Sequence, residues 1–281
     1  MLLNFDPEMV QAALAEDVGS GDATTMATVP VGDMATAVMV ARQTLVVCGL
    51  PIAEAVFREV SVGLILNAMA KDGQRVAQGH VLLNIQGPTR AILTGERTAL
   101  NFVQRLSGVA TLTARFVDAV AGTGAQILDT RKTTPGWRHL EKYAVQCGGG
   151  VNHRFGLFDR ILIKDNHLAA LQDEPPNAIE AAVRRARAQF PQLVVEVEAD
   201  TLDQVGQACQ AGADVILLDN MSNEDLREAV RLIGGKAKIE ASGGINLATV
   251  RAVAETGVDF ISVGALTHSA PAADIALDFK T

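Results

Sequence analysis

Residues 126–167 read QILDTRKTTPGWRHLEKYAVQCGGGVNHRFGLFDRILIKDNH. From residue 130 onward this segment carries seven Lys or Arg side chains against three Asp or Glu, although the whole chain has a formal charge of −8. Arg131 and Lys132 follow one short apolar run, and Lys164 follows another. Such runs indicate buried strands, and α/β folds place their chemistry at strand ends. We therefore expect a cationic cleft that binds an anion with more than one charge.

The composition is that of a globular enzyme rather than a nucleic-acid or membrane protein. A chain of 281 residues is long enough for one large α/β barrel or for two domains. Aromatic residues make up only 4%, with one Trp and one Tyr, so stacking platforms for single-stranded nucleic acid are not evident. The net negative charge argues against a protein that coats DNA, RNA or anionic membranes, which require phosphate neutralisation.

The N-terminal residues and the cysteines predict a cytoplasmic protein. The first residues, MLLNFDPEMVQ, have no basic region before an apolar run, so we expect no signal peptide, and no apolar run approaches the length of a membrane span. Cys48, Cys147 and Cys209 are odd in number and widely spaced, with no C-x-x-C. Structural disulfides and a thiolate metal site are therefore not expected, and we interpret all three as small buried residues.

The N-terminal third predicts a small α+β module with an antiparallel sheet. Lys71-Asp72-Gly73 separates two β-prone stretches, and Asp-Gly in that position predicts a hairpin. The expected elements are a helix at 7–17, a strand at 35–47, a helix at 51–60, and extended stretches at 61–69 and 74–85.

From residue 89 to residue 121 the apolar residues recur at three- and four-residue spacing, which predicts helix. Ser107-Gly108 is expected to divide the segment into two helices, with Arg97 on the first. Apolar residues extend beyond one stripe, and the pattern leaves open whether the helices pack against a second subunit.

The rest of the chain alternates short strands with helices, which predicts a parallel α/β barrel, with a doubly wound sheet as the alternative. The barrel is favoured because nearly every strand ends in a polar residue or glycine, and a barrel gathers those ends in one ring. The expected strands are 126–129, 160–164, 193–198, 215–219, 238–241 and 260–263, and the expected helices 137–147, 178–190, 202–211, 223–232 and 247–255.

The chain is predicted to form two domains and a tail. An N-terminal α+β domain with a helical connection is expected at 1–110, and an open TIM-like barrel carrying the active site at 111–270. A tail at 271–281 is expected to pack back on the N-terminal domain.

The basic strand ends have functional and structural interpretations. The pair Arg131 and Lys132 suits a carboxylate or a diphosphate, but could also be a solvated turn. Three glycines precede His153 and Arg154, and could allow a ligand to approach the backbone or could form a flexible helix terminus. Lys164 could bind an anion or, if desolvated, form a Schiff base as in barrel aldolases.

Acidic residues end two of the later strands. Glu196 and Glu198 alternate in VVEVE and face the same side, and Asp219 ends VILLD. Buried carboxylates require a cation or a metal. Glu198 and Asp219 are therefore candidates to hold Mg²⁺, through water or directly, or to bind ribose hydroxyls, with structural salt bridges as the alternative.

Glycines end the last two strands. Ser242-Gly243-Gly244 and Gly264, the latter followed by His268, could present backbone N–H groups to a phosphate. Phosphate sites on the last strands recur in such barrels. The strand ends together suit a sugar phosphate that carries a diphosphate and meets a second, anionic substrate.

The stretch DTRKTTPGWRHLEKYAVQCGGGVNHRFGLFDRILIKDNH resembles the quinolinate phosphoribosyltransferase family. The segments ERTALNFVQRLSGVAT, VEVEADTLDQ, VILLDNM, IEASGGIN and ISVGALTH fit the same family in the same order. The resemblance implies transfer of phosphoribose from phosphoribosyl pyrophosphate to the ring nitrogen of quinolinate, with loss of pyrophosphate and CO₂, giving nicotinate mononucleotide. It also implies an N-terminal α/β domain, an open α/β barrel and at least a homodimer.

The resemblance also implies roles for individual residues. Arg97 is similar to a family arginine that enters the neighbouring subunit's site, Lys132 to the lysine on the diphosphate side, and His268 to a residue near the 5′-phosphate. The implied catalytic residues are Lys132, Lys164, Glu198 and Asp219. The implied quinolinate pocket is Thr130, Arg131, His153, Arg154 and Lys164. The implied 5′-phosphate site is Ser242, Gly243, Gly244 and Gly264. The implied Mg²⁺ and ribose ligands are Glu198 and Asp219.

Three other functions remain to be weighed. A related pyrophosphorylase could use another base, although a monocarboxylate would need fewer cations. An aldolase would act through a Schiff base on Lys164, and a sugar-phosphate sensor would have no activity.

Overall fold

The computed structural model describes residue 3 and residues 5–280, which form two compact units. Unit 1 comprises residues up to Ala114, Thr133–Gly149 and residues from Ser269 onward, and unit 2 comprises Arg115–Lys132 and Gly150–His268. The helices are α1 (Pro7–Val18), α2 (Ala23–Thr28), α3 (Leu50–Val60), α4 (Thr89–Ala119), α5 (Arg138–Cys147), α6 (Asp165–Ala169), α7 (Ala178–Gln189), α8 (Leu202–Gln210), α9 (Asn223–Ile233), α10 (Val250–Ala254) and α11 (Ala265–His268). The strands are β1 (Met34–Ala41), β2 (Leu45–Val46), β3 (Ile65–Ala68), β4 (Arg75–Val76), β5 (Val81–Pro88), β6 (Gln126–Leu128), β7 (Ile161–Ile163), β8 (Val195–Ala199), β9 (Val215–Asp219), β10 (Lys238–Ser242), β11 (Phe260–Ser262) and β12 (Ile275–Phe279).

The sheet of unit 1 is antiparallel, as predicted, and the two predicted stretches pair through β3 and β5, but Asp72-Gly73 does not close a tight hairpin between them. Its strand order is β12-β1-β5-β3, so β3 pairs with β5, and β4 pairs instead with β2. The carboxylate of Asp72 accepts hydrogen bonds from the backbone N–H groups of Gly49 and Leu50, at 2.9 and 3.1 Å. The Asp-Gly turn therefore contacts the start of α3, and the chain after it runs along β2 rather than back along β3.

Helix α4 is continuous over 31 residues, so the predicted division at Ser107-Gly108 is wrong. The hydroxyl of Ser107 accepts from the backbone N–H of Cys48 at 2.9 Å and donates to its carbonyl at 3.1 Å. A Cβ on Gly108 would lie 2.0 Å from the carbonyl oxygen of Pro271. These residues allow neighbouring segments to approach the helix, which is why small residues occur in its middle.

Helix α5 belongs to unit 1, because two contacts hold it against α4. The compact units therefore differ from the predicted domain ranges. The ring of Trp137 stacks on that of Phe102 with centroids 4.9 Å apart. Arg105 forms a salt bridge of 2.7 Å with the fully buried Glu141. Residues 133–149 therefore group with unit 1, whereas the predicted barrel domain of 111–270 includes them. Strand β12 pairs antiparallel with β1.

The sheet of unit 2 is parallel, with strand order β6-β11-β10-β9-β8-β7. The order follows the chain from β7 to β11, and the first strand, β6, then lies beside the last. This arrangement is that of a barrel, and a doubly wound sheet would reverse its order. Among the described strands no ladder joins β6 to β7, and a single parallel bridge links Leu128 to Val151 near that opening. The predicted open α/β barrel is therefore confirmed.

Candidate functional site

A pocket of about 380 Å³ opens at the carboxyl ends of the parallel strands of unit 2. Every strand of the barrel contributes to it, because each short apolar run is followed by polar side chains. The lining residues are Thr130, Arg131, Lys132, His153, Arg154, Leu162, Lys164, Glu198, Leu217, Asp219, Glu240, Ser242 and Ser262.

The four predicted cations of unit 2, Arg131, Lys132, Arg154 and Lys164, line this one pocket. Burial and the charge of Arg131 lower the pKa of Arg154, which places the two guanidinium groups in each other's field. Like charges brought together in this way create a positive potential that an anion relieves. The pocket is therefore suited to bind an anionic ligand.

The ammonium group of Lys164 forms an ion pair with the carboxylate of Glu198 on the adjacent strand β8. The backbone N–H of Lys164 donates to Nδ1 of His167 at 2.9 Å, at the point where α6 begins. A Schiff-base lysine must act as a neutral amine, and an ion-paired ammonium group is poorly suited to that chemistry. Lys164 is thus better placed to bind an anion.

Glu198 is the next-to-last residue of β8 and Asp219 the last residue of the neighbouring β9, and both line the pocket. Asp219 also accepts a hydrogen bond of 2.6 Å from the side-chain amide of Asn220. Mg²⁺ typically binds one or two carboxylates together with waters and substrate phosphates. Two carboxylates at the edge of an open, cationic pocket fit that donor set.

The glycine-rich strand ends lie beside the pocket. Of the predicted phosphate residues, Ser242 lines it, whereas Gly243, Gly244, Gly264 and His268 are not lining residues. Gly243 has a φ of +99°, and a Cβ there would lie 2.1 Å from Oδ1 of Asn220. A Cβ on Gly264 would lie 3.1 Å from Cδ of Lys132 and 3.2 Å from Nε2 of His268. Both glycines therefore let other groups approach the backbone.

The predicted Arg97 lies on α4 in unit 1. Its role at a neighbouring subunit's site stays a prediction.

The base of the pocket contains a buried polar network that the sequence analysis did not find in full. Nε2 of His153 lies 3.1 Å from Oε2 of Glu196 and 3.4 Å from Oε2 of Glu240. Ser262 donates to the other oxygen of Glu240, and Arg160 lies 3.4 Å from Glu196. Glu240 and Ser242 alternate on β10 just as Glu196 and Glu198 do on β8, so the same alternation could have revealed Glu240.

The ring proton of His153 follows from its hydrogen bonds. Nδ1 of His153 accepts the backbone N–H of Arg154 at 2.7 Å, which leaves the proton on Nε2, facing the carboxylates. Burial opposes a second proton on the ring, whereas hydrogen bonds to Glu196 and Glu240 favour one and raise the pKa of His153 to about 9, and that second proton would have to displace the bond that Nδ1 accepts. Burial and the charge of Glu196 raise the pKa of Glu240, whereas His153 lowers the pKa of Glu196 against the effect of burial. Of the two carboxyl groups, Glu240 is therefore the one whose neutral form the network favours, and Glu196 the one whose charge it stabilises.

Since both ring nitrogens of His153 have partners within the protein, the imidazole supports the pocket from below. It fixes the backbone at Arg154, one of the four cations.

Comparison with known proteins agrees with the observed fold. Residues 22–107 match the family profile described as quinolinate phosphoribosyl transferase, N-terminal domain, and residues 109–278 match that of the C-terminal domain. The chain belongs to the quinolinate phosphoribosyltransferase family. Both profiles of this family are matched in order, and together they span nearly the whole chain.

Individual members of the quinolinate phosphoribosyltransferase family are similar to this chain along most of their length. The chain is 45% identical over 277 residues to the nicotinate-nucleotide pyrophosphorylase (carboxylating) of Mycobacterium leprae, covering 96% of each chain. It is 43% identical over 265 residues to a probable nicotinate-nucleotide pyrophosphorylase (carboxylating) of Bacillus subtilis, covering 94% of this chain and 89% of the relative. The solved structure of the nicotinate-nucleotide pyrophosphorylase of Francisella tularensis superposes with a TM-score of 0.93 at 39% identity, covering 100% of this chain and 99% of that one.

No helix among the described residues is both long and apolar enough to cross a lipid bilayer.

Proposed function

We propose that this protein is an enzyme that transfers phosphoribose from phosphoribosyl pyrophosphate to the ring nitrogen of quinolinate. The products are nicotinate mononucleotide, pyrophosphate and CO₂, and the reaction belongs to the de novo synthesis of NAD. The observation that carries the proposal is the convergence of four cations and two carboxylates in one pocket at the strand ends. Membership of the family supplies the identity of the two substrates.

The quinolinate side of the pocket is assigned to Arg131, Arg154 and Lys164, with Thr130 close by. Quinolinate carries two carboxylates, and guanidinium groups bind carboxylates through paired, charge-assisted hydrogen bonds. His153 was predicted to contact quinolinate, and in the proposed mechanism it contributes by holding Arg154 in place. The cations thus fix the ring so that its nitrogen faces the ribose.

The phosphoribosyl pyrophosphate side is assigned to Lys132, after β6, and to the ends of β11 and β10, which follow β6 in the sheet order. Lys132 is proposed to neutralise the diphosphate leaving group. The 5′-phosphate is assigned to the backbone around Ser242, Gly243, Gly244 and Gly264, with His268 nearby. Gly264 lies close to both Lys132 and His268. The diphosphate and the 5′-phosphate of the substrate would therefore bind to neighbouring residues.

Catalysis in this site rests on positioning and on charge. Loss of diphosphate breaks the C–O bond at the anomeric carbon and leaves an oxocarbenium-like centre, which the ring nitrogen attacks. Lys132 stabilises the charge that develops on the leaving group. The fixed orientation of quinolinate converts a bimolecular encounter into an intramolecular one. After ribosylation, the C–C bond to the adjacent carboxylate breaks and CO₂ departs. The electron pair stays on the ring carbon, where the neighbouring positive nitrogen stabilises it, and that carbon then takes up a proton from solvent.

Mg²⁺ is proposed as the cofactor, held by Glu198 and Asp219 directly or through water. When bound, it would neutralise charge on the diphosphate. We further propose a cytoplasmic homodimer, in which Arg97 completes the neighbouring subunit's site.

The proposal is tested by incubating the purified chain with quinolinate, phosphoribosyl pyrophosphate and Mg²⁺. We expect nicotinate mononucleotide, pyrophosphate and CO₂ in equal amounts. A parallel incubation with nicotinate in place of quinolinate should give little product. A monocarboxylate offers one carboxylate fewer to Arg131, Arg154 and Lys164. Product from nicotinate with none from quinolinate would show that the enzyme uses a different base. Borohydride trapping of a sugar phosphate on Lys164 would instead indicate an aldolase.

A further inference from the structure

Two of the three cysteines meet in unit 1, and neither of them lines the pocket. Cys48 lies between β2 and α3, and Cys147 is the last residue of α5. Their sulfur atoms and a carboxylate oxygen of Asp72 all lie within 4.8 Å of one another. The two residues are 99 positions apart in sequence, so only the fold brings them together.

The surroundings of the cluster argue against a metal site. Asp72 accepts hydrogen bonds from the N–H groups of Gly49 and Leu50 and from the hydroxyl of Tyr143, the last at 3.0 Å. These three donors occupy both of its oxygens, because the carboxylate caps the start of α3. A structural zinc site normally has four ligands, so two thiols alone would not complete one.

The two thiols differ in exposure and in reactivity. Cys48 is completely buried, and burial raises the pKa of its thiol. Cys147 is partly exposed. A hydrogen bond with Cys48 lowers the pKa of Cys147, and one with Tyr143 adds to this effect, while burial opposes it. An accessible thiol of lowered pKa beside a second thiol is the arrangement of redox-sensitive cysteines, in which the first reacts and the second resolves.

We propose that Cys48 and Cys147 form a redox-modification site, in which peroxide oxidises Cys147 and Cys48 then closes an intramolecular disulfide. In the first step the Cys147 thiolate attacks one oxygen of hydrogen peroxide. The O–O bond breaks, an S–O bond forms, and the departing hydroxide takes up a proton to leave as water. In the second step the sulfur of Cys48 attacks the sulfenic sulfur of Cys147. The S–O bond breaks and the OH group leaves with the Cys48 proton as a second water, so two thiols are oxidised and one peroxide is reduced.

The experiment is titration of the native full-length chain with hydrogen peroxide, followed by mass spectrometry of the intact and the digested protein. We expect the loss of two hydrogens and a cross-linked peptide pair joining Cys48 to Cys147. The Cys209→Ser variant is the matched control and should form the same cross-link. In Cys48→Ser the sulfenic acid should persist and be trapped by dimedone on Cys147, whereas Cys147→Ser should give neither product.

The wild-type digest tests the proposal without relying on any variant that fails to fold. A cross-link involving Cys209 would overturn it, as would a Cys48–Cys147 cross-link that forms only in denaturant. Oxidation of Cys209 in preference to Cys147 in the native chain would also overturn it.

Discussion

Nε2 of His153 lies 3.1 Å from a carboxylate oxygen of Glu196, and both side chains are almost completely buried inside the barrel. A buried carboxylate is stable only when its charge is matched by donors or cations, and Glu196 has both His153 and Arg160 as partners. Burial and the charge of Glu196 raise the pKa of Glu240, so the network favours the neutral form of this second carboxyl group. The pocket thus rests on a buried network in which Glu196 is the better stabilised anion.

The network predicts that the two glutamates respond differently to the same substitution. Glu240→Gln places a neutral amide where the network favours a neutral carboxyl group, and should change the free energy of unfolding by no more than about 1 kcal/mol. Glu196→Gln removes a buried anion that accepts from His153 and pairs with Arg160, and should cost about 3–5 kcal/mol. Urea unfolding near neutral pH measures both. Equal losses would contradict this difference between the two glutamates.

Gly108 in α4 should tolerate no larger residue. In Gly108→Ala the new Cβ would lie 2.0 Å from the carbonyl oxygen of Pro271, so the C-terminal segment would have to move. We expect a loss of about 1–3 kcal/mol or more, as for other overpacked sites. Gly206 in α8 is the matched control, because its nearest neighbour, a methyl carbon of Leu232, would be 4.0 Å away. Gly206→Ala should be neutral or stabilising by up to about 1 kcal/mol, as thermal unfolding will show.

The salt bridge between Arg105 and Glu141 should contribute far more to stability than those on the surface. Glu141 is fully buried and also accepts from the backbone N–H and the hydroxyl of Thr134. Glu141→Ala should therefore cost about 3–5 kcal/mol. The exposed pair of Glu228 and Arg231 serves as the comparison, and Glu228→Ala should cost less than about 1 kcal/mol. Denaturant unfolding of both variants tests this, and similar costs would be evidence against it.

Arg131→Ala and Arg154→Ala should each weaken quinolinate binding at least about tenfold, since each removes charge-assisted hydrogen bonds. Binding of phosphoribosyl pyrophosphate should change much less. Calorimetric titration with each substrate separates the two effects, and Arg227→Ala on the outer helix α9 provides a control for the loss of a positive charge. Equal losses of affinity for both substrates would show that the assignment of Arg131 and Arg154 to quinolinate is incorrect.

The proposed sharing of Arg97 between subunits predicts complementation. Arg97→Ala and Lys164→Ala should each abolish most activity as homodimers. A mixed dimer contains one site in which both residues are intact, so mixing the two variants should restore part of the activity. The measurement is product formation by heterodimers purified through two different tags. No recovery in such verified heterodimers would rule out a shared site.

The sequence pattern located every strand of the barrel to within a few residues, because each is a short apolar run closed by polar residues or glycine. The same pattern identified the cations and acids that meet in the pocket, since residues after parallel strands share one face. It failed where distant segments pack together. The division at Ser107-Gly108 was expected because these residues weaken isolated helices, but in the fold they admit the backbones of Cys48 and Pro271. The prediction of a tight hairpin at Asp72-Gly73 was wrong for the same reason, because Asp72 accepts hydrogen bonds from the start of α3.

The apolar periodicity of the chain and the polar residues that follow each apolar run were therefore sufficient to indicate a parallel barrel with an anion site at its strand ends. Both features are properties of residues that are neighbours in the sequence. Which charges are paired, and which protons they share, depends on atoms far apart in the chain. The ion pair of Lys164 with Glu198, the raised pKa of Glu240 and the contact of Cys48 with Cys147 are set by packing. Electrostatic and hydrogen-bond energies depend on distances in space, and a linear pattern does not contain those distances.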